Sequence, residues 1–327
     1  MKLSNAAINM PRTARWRKLE PMPYGARTLH GCCKIDTHRM IIVGGEDASG
    51  NFISSGAIFD VRTEQWMPLP NDMPKVRAHC SVVVKGKHVY VIGGVNADRN
   101  IVTTVYRLSL ETNQWATMAP MGTERANVSA VLQGDYIYVH GGDSRNNELA
   151  SAERYSIIRN SWEPLPDMAE ARFGHCAVTA PDSAIYIVGG SLFYKHVLSL
   201  DLFDTTSLNW KRERNIIDMP KGRSNAAMVM LQDRYLVVIG GFNLLNPPFS
   251  SCYIYDCIFN QWALLPASMD MSTGRRDHTA VVLDGKIIVV GGRWRQDRLS
   301  SMEFIDIHGL LLNSAPLIYP LPTVYFE

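Results

Sequence analysis

Six arginines recur along this chain: Arg27, Arg77, Arg125, Arg172, Arg223 and Arg275, the last with Arg276 beside it. Three head an R-x-x-H group: Arg27 with His30, Arg172 with His175 and Arg275 with His278. A guanidinium offers a fixed fork of donors that binds a carboxylate through two hydrogen bonds at once. A ring of such groups predicts a surface for Asp- or Glu-rich segments. The structural reading is that each arginine pairs with a neighbouring acid or carbonyl. Other chemistry finds little support. The histidines show no HxH, HxxxH or HxxEH spacing, so no metal site is expected. No GxSxG turn, GxxxxGK[ST] loop or carboxylate cluster is present, so no catalytic residue and no cofactor are expected. His140 interrupts an otherwise apolar stretch. It reads as a hydrogen-bonded core histidine or as a group at a channel mouth.

The elements that position these arginines repeat with them. Val89-Tyr90-Val91-Ile92-Gly93-Gly94 is a short apolar strand stopped by two glycines. The same stretch returns with first glycines at 44, 141, 189, 240 and 291, so the period is about 50 residues. Each repeat carries four strand signals. In the second, strand a covers Ser81-Val82-Val83-Val84 and turns at Lys85-Gly86-Lys87. Strand b runs from His88 to Ile92, strand c through Thr104 to Leu108, and strand d starts near Trp115. Tryptophans stand at 16, 66, 115, 162, 210 and 262, each trailed by proline or methionine that ends the strand. No convincing helical period is present. Four antiparallel strands repeated six times predict a β-propeller.

A glycine pair, an aromatic near Asp, then Trp with a trailing proline resembles the kelch repeat, over residues 16 to about 306. The expected fold is all-β: one six-bladed kelch-type propeller domain over 1–327, with repeats at about 24–70, 71–120, 121–167, 168–218, 219–268 and 269–310. Trp16-Arg17-Lys18-Leu19 is a spare d-type strand, within 14–23, that would complete the sixth blade and remove an open edge. The rival is a C-terminal strand near Leu312. With the N-terminal strand in place, the apolar tail 310–327 packs on the ring or serves a partner.

The resemblance implies a non-catalytic protein-interaction module, a scaffold or a substrate-recognition propeller. It also implies arginine contacts to acidic peptide motifs. About fifteen residues precede the first repeat strand, so no BTB or F-box-like domain is expected. The alternative is a propeller-type enzyme acting on a sugar or other small molecule at the central channel. Against it, the iron motif E-xxx-D-xxx-H of nitrile-specifier proteins meets Glu163 and Asp167 but then Ala171. Strands a and b form a hairpin, so the b–c loops share a face with the residues opening strand a. Two of those loops stand out. Residues 242–249 are apolar and end in Phe249, and 293–298 are basic with an aromatic, Trp294. Loops on a rigid scaffold commonly carry binding, and Trp and Arg are common interface anchors. The expected partner-binding residues are therefore the six arginines, Phe249 and Trp294.

Net charge is +2, which argues for neither nucleic acid nor a membrane surface as a partner. No apolar run reaches the length of a membrane span, and the first residues lack the apolar core of a signal peptide. The six cysteines form no C-x-x-C pair and fall mostly within strands. They read as reduced core thiols of a cytoplasmic, monomeric protein.

Overall fold

Apart from His140 and the strand-opening Arg39, His88 and Lys286, each glycine-terminated strand is apolar because both of its faces are covered. Ile41 and Val43 pack against Val89 and Val91 of the following repeat. Met40 and Ile42 pack against Ile288 and Val290 of the repeat before. A strand pressed between two sheets needs no polar face, so its sequence does not alternate. The computed structural model describes residues 15–145, 147–211 and 216–307.

Six four-stranded antiparallel sheets form the blades of a propeller, each ordered a-b-c-d. Blade 1 comprises Gly31–Lys34, Arg39–Val43, Gly56–Asp60 and Gln65–Pro68. Blade 2 comprises Ser81–Lys85, His88–Ile92, Val105–Ser109 and Trp115–Met118. Blade 3 comprises Ser129–Gln133, Tyr136–His140, Ala152–Ser156 and Ser161–Leu165. Blade 4 comprises Cys176–Thr179, Ala184–Val188, Leu200–Asp204 and Asn209–Lys211. Blade 5 comprises Ala227–Leu231, Tyr235–Ile239, Cys252–Asp256 and Gln261–Leu264.

Blade 6 joins the two ends of the described chain. Thr279–Leu283, Lys286–Val290 and Met302–Asp306 supply strands a to c, and Arg17–Leu19 supplies strand d. Arg17 pairs with Phe304 and Leu19 with Met302. Trp16 repeats the bond made by four of the five other strand-d tryptophans. Its Nε1–H donates to the Met269 carbonyl at 2.8 Å, as Trp115 does to Asn71 and Trp162 to Ala119. The N-terminal strand therefore closes the ring. Leu312 and the tail 310–327 lie outside the described residues.

The core is divided into layers between blades rather than gathered in one centre. Six methionines missed by the sequence reading help fill these layers. Met22, Met73, Met121, Met168, Met219 and Met271 are buried, four or five residues before each arginine. Each sits against the first glycine of a pair on the preceding blade. Their constant offset from the arginine was the signal available.

Candidate functional site

The residues that open strand a and those that follow the glycine pair bridge one another on a single face: Thr28 with Glu46, Ser224 with Phe242, Arg276 with Arg293. The b–c loops lie on this face, and neighbouring loops touch. Arg298 pairs with Glu46, and Arg145 with Glu124. Blade 4 adds a small hairpin, Ser191–Leu192 with Lys195–His196, and blade 6 adds Arg293–Trp294 with Asp297–Arg298.

The six arginines are under this face, not on it. Arg27 through Arg275 are 0–4% exposed. Arg125 donates from Nη1 to the carbonyls of Gly141 and Ser151, both at 2.8 Å, and from Nη2 to Glu153 Oε1 at 3.1 Å. Arg275 makes the same set with Gly291, Ser301 and Glu303. Arg172 reaches Gly189, and Arg172 Nη2 meets Asp201 at 2.5 Å. In blades 2 and 5 a tyrosine replaces the acid, so Arg77 lies over Tyr106 and Arg223 over Tyr253. Arg27 binds the Gly44 and Ser55 carbonyls and makes no ion pair among the described residues, and burial lowers its pKa to about 10. Each arginine carbonyl also accepts the N–H of the second glycine of the preceding blade, from Gly45 to Arg77 at 2.7 Å round to Gly292 to Arg27 at 2.9 Å. One residue thus stitches two blades. The expectation that these guanidinium groups circle an open mouth and meet a partner is corrected. Their forks are spent on carbonyls at the b–c corner, where the chain's own polar groups need donors.

The glycine pair is shaped by that stitch. Gly93 and Gly94 have φ of +60° and +91°. A Cβ on Gly93 would lie 2.4 Å from the Arg125 carbonyl. Only glycine permits both the backbone turn and the approach.

The histidines of the R-x-x-H groups line a cavity of about 130 Å³ at the channel mouth, with His79, Asn127, Asn225 and Asp277. Their rings reach back toward the glycines of the preceding blade, with His175 Cε1 beside Gly141 and His278 Cε1 beside Gly240. Burial, reinforced by the nearby arginine, holds His30 and His175 neutral down to about pH 3. His140 is fully buried and packs edge-on against Phe203 at 5.3 Å and Trp210 at 5.6 Å. Neither of its ring nitrogens has a hydrogen-bond partner among the described residues, which corrects the expectation of a hydrogen-bonded histidine. Deeper in, the channel wall is largely apolar, including Val83, Val131 and Val281 around a space of about 510 Å³.

Phe249 and Trp294, by contrast, are brought together. Both are half-buried and line a cleft of about 710 Å³ between the loops of blades 5 and 6. Its floor is tight: a Cβ on Gly274 would lie 2.1 Å from the Pro248 carbonyl and 2.9 Å from Trp294. Lys221 Nζ lies 4.8 Å from the centre of the Phe249 ring, and the Arg295 guanidinium lies 5.5 Å from Trp294. Cation–π attraction to the rings favours these exposed cations, Lys221 in the cleft lining and Arg295 against the Trp294 ring. Asp270, also in the lining, has its carboxyl pushed up by partial burial. Lys221 was missed by the sequence reading because it belongs to the d–a loop that opens blade 5, far in sequence from the b–c loops that hold Phe249 and Trp294.

The family model described as the KLHDC2/KLHL20/DRC7 Kelch-repeats domain matches residues 5–190 and 167–292. Kelch-like protein 38 of Homo sapiens is 28% identical over 260 residues, covering 78% of this chain and 42% of that protein. Its Rattus norvegicus counterpart is 26% identical with the same coverage. Kelch-like protein 26 of Danio rerio is 25% identical over 279 residues, covering 82% of this chain and 45% of that protein. The chain thus spans less than half the length of these curated relatives. With six concordant blades and a matching family model, the chain belongs to the kelch-repeat family.

Proposed function

We propose that this chain is a non-catalytic protein-interaction propeller whose partner docks on the face of b–c loops, at the cleft between blades 5 and 6. The observation that carries this is the convergence of Phe249, Trp294 and Lys221 on one cleft. Aromatic anchors in a recess with a basic rim are typical of interface hot spots. The two ring-stacked cations favour a partner segment with acidic side chains. Cys80, Cys176 and Cys252 are unsuited to act as nucleophiles, since burial pushes Cys80 to about 11 and Cys176 and Cys252 to about 12. The reading is completed by a cytoplasmic monomer with neither nucleic-acid nor membrane partners. In keeping with it, net charge is +2, and no helix among the described residues is long and apolar enough to cross a membrane.

The test compares wild type with Trp294→Ala and Arg295→Ala as immobilised bait in native lysate, read by quantitative mass spectrometry. Proteins captured by wild type should be lost by both variants at unchanged melting temperature, and lost from wild type as salt rises. Equal capture by all three proteins would overturn the reading.

A further inference from the structure

Beside the cleft, on the same face, stands an apolar ridge that nothing in the described chain covers. Phe193 and Tyr194 at the tip of the blade 4 hairpin are 69% and 89% exposed, and Leu244 and Leu245 of the blade 5 loop are 56% and 92% exposed. Side chains of this size rarely cluster in water without a partner.

The ridge is held in place by its surroundings. The Leu244 N–H donates to His196 Nε2 at 3.1 Å, tying the two loops together. Asn243 Oδ1 accepts from the Leu245 N–H at 3.1 Å and from Asn246 Nδ2 at 2.8 Å, a side-chain-capped turn that presents the leucines. The Phe193 N–H is anchored on Glu148 Oε1 at 3.1 Å. A surface ordered before binding loses less entropy on binding.

The ridge runs into the cleft. Residues 244–249 supply Leu244 and Leu245 at one end and Phe249 at the other. Gly222 packs against His196 of the blade 4 hairpin and Leu198 just beyond it, which places Lys221 at the junction of ridge and cleft.

From this continuity we propose that the ridge is the second half of the docking surface and that it takes a linear segment of a partner protein. The segment carries an apolar anchor for Tyr194 and Leu245, an Asp or Glu for Lys221, and an apolar or aromatic residue for the cleft. The proposal rests on the reading above and adds the partner's chemistry to it. The order apolar–acidic–apolar follows from the order of the surfaces, since Lys221 lies between the exposed leucines of the ridge and the aromatic pair Phe249 and Trp294 of the cleft. A partner lacking the acid leaves Lys221 unmatched, and one lacking the first anchor leaves the leucines in water.

The test pans a displayed library of short random peptides against wild-type protein. The enriched peptides are then measured by fluorescence polarisation on wild type, Leu245→Asp, Lys221→Glu, Trp294→Ala and Ile258→Asp. Ile258 is exposed on the c–d turn of the opposite face and serves as the control. Enriched sequences should carry the apolar–acidic–apolar order. Leu245→Asp and Lys221→Glu should each weaken binding by about tenfold or more at unchanged melting temperature, as expected for anchors. Ile258→Asp should bind as wild type does. Sensitivity to Trp294→Ala alone would overturn the ridge while leaving the cleft standing. Insensitivity to all the face variants would overturn both. No enrichment, or enrichment of basic peptides, would overturn the proposal. So would concentration-dependent dimerisation abolished by Leu245→Asp, which would make a second copy the occupant.

Discussion

The main-chain N–H of Leu29 donates to the carbonyl of Asp277 across 3.1 Å, although the two residues stand at opposite ends of the propeller sequence. The bond is one of six. His79 donates to Leu29, Asn127 to His79, Gly174 to Asn127, Asn225 to Gly174 and Asp277 to Asn225, at 2.7–3.1 Å. Together they form a closed belt at the channel mouth. All six residues have positive φ, between 48° and 61°. Asn, Asp, His and Gly tolerate that region better than most residues, so Leu29 is the costly member.

The Asn225 side chain makes Gly174 sensitive. A Cβ there would lie 2.1 Å from Asn225 Oδ1, whereas Gly86, at φ +56°, has nothing within 4 Å. Gly86→Ala should cost about 1–2 kcal/mol, the backbone strain alone. Gly174→Ala should cost clearly more. Equal losses in urea titrations would contradict this close approach of the Asn225 side chain.

The buried Arg275–Glu303 pair predicts an asymmetric response. Glu303 is 1% exposed and also accepts the Ser272 N–H at 2.8 Å. Arg275→Ala strands that charge and should cost about 3–5 kcal/mol. Adding Glu303→Gln removes the charge but keeps an acceptor for Ser272, so part of the loss should return. A double variant less stable than Arg275→Ala would refute this account.

Ring closure predicts that deletion of residues 1–24 is costly. It removes Trp16, Leu19 and Met22 from the interface around blade 6 and opens an edge of the sheet. The expected loss is about 3–5 kcal/mol, as for truncation of large buried side chains. Deletion of 310–327 is the parallel measurement. A first variant that melts with wild type would disprove the closure.

Acid sensitivity follows from His30, His140, His175 and His278. Burial, then the nearby arginines, lowers the first three to about 3 and His278 well below its ordinary value. The unfolded chain takes up these protons near pH 6.5, so below that pH it binds more protons than the native state. Stability is therefore fully present above pH 6.5 and falls with decreasing pH, by up to about 1.4 kcal/mol per unit for each histidine. Urea unfolding between about pH 7 and pH 5 reads the slope, above the range where carboxylates protonate. His140→Phe should flatten it. An unchanged slope would remove His140 from the explanation.

Cys80, Cys176 and Cys252 are buried free thiols held protonated. They should resist a thiol reagent near pH 8 in the native protein and react on unfolding, whereas surface thiolates react at once. Rapid native labelling of any of the three, mapped by peptide mass spectrometry, would contradict their placement.

The repeating glycine pairs, the apolar b strands and the spare Trp16 strand were enough to read the number of blades, their strand order and the closure. Those features are local or periodic. Backbone preference and burial on both faces act on each repeat in the same way, so the pattern survives in the linear sequence. The arginines show the opposite case. Their recurrence was legible, but whether the guanidinium groups faced a partner or their own b–c corner depended on carbonyls roughly 16 to 28 residues away. The methionine offset was present and unread because a single methionine has no distinctive spacing. Phe249 and Trp294 could each be picked from its loop. Their meeting, with Lys221 between ridge and cleft, required the ring to set blade 5 beside blade 6. The belt from Leu29 to Asp277 is tertiary in the same sense, since its bonds join residues about one repeat apart and close only when the two ends of the propeller meet.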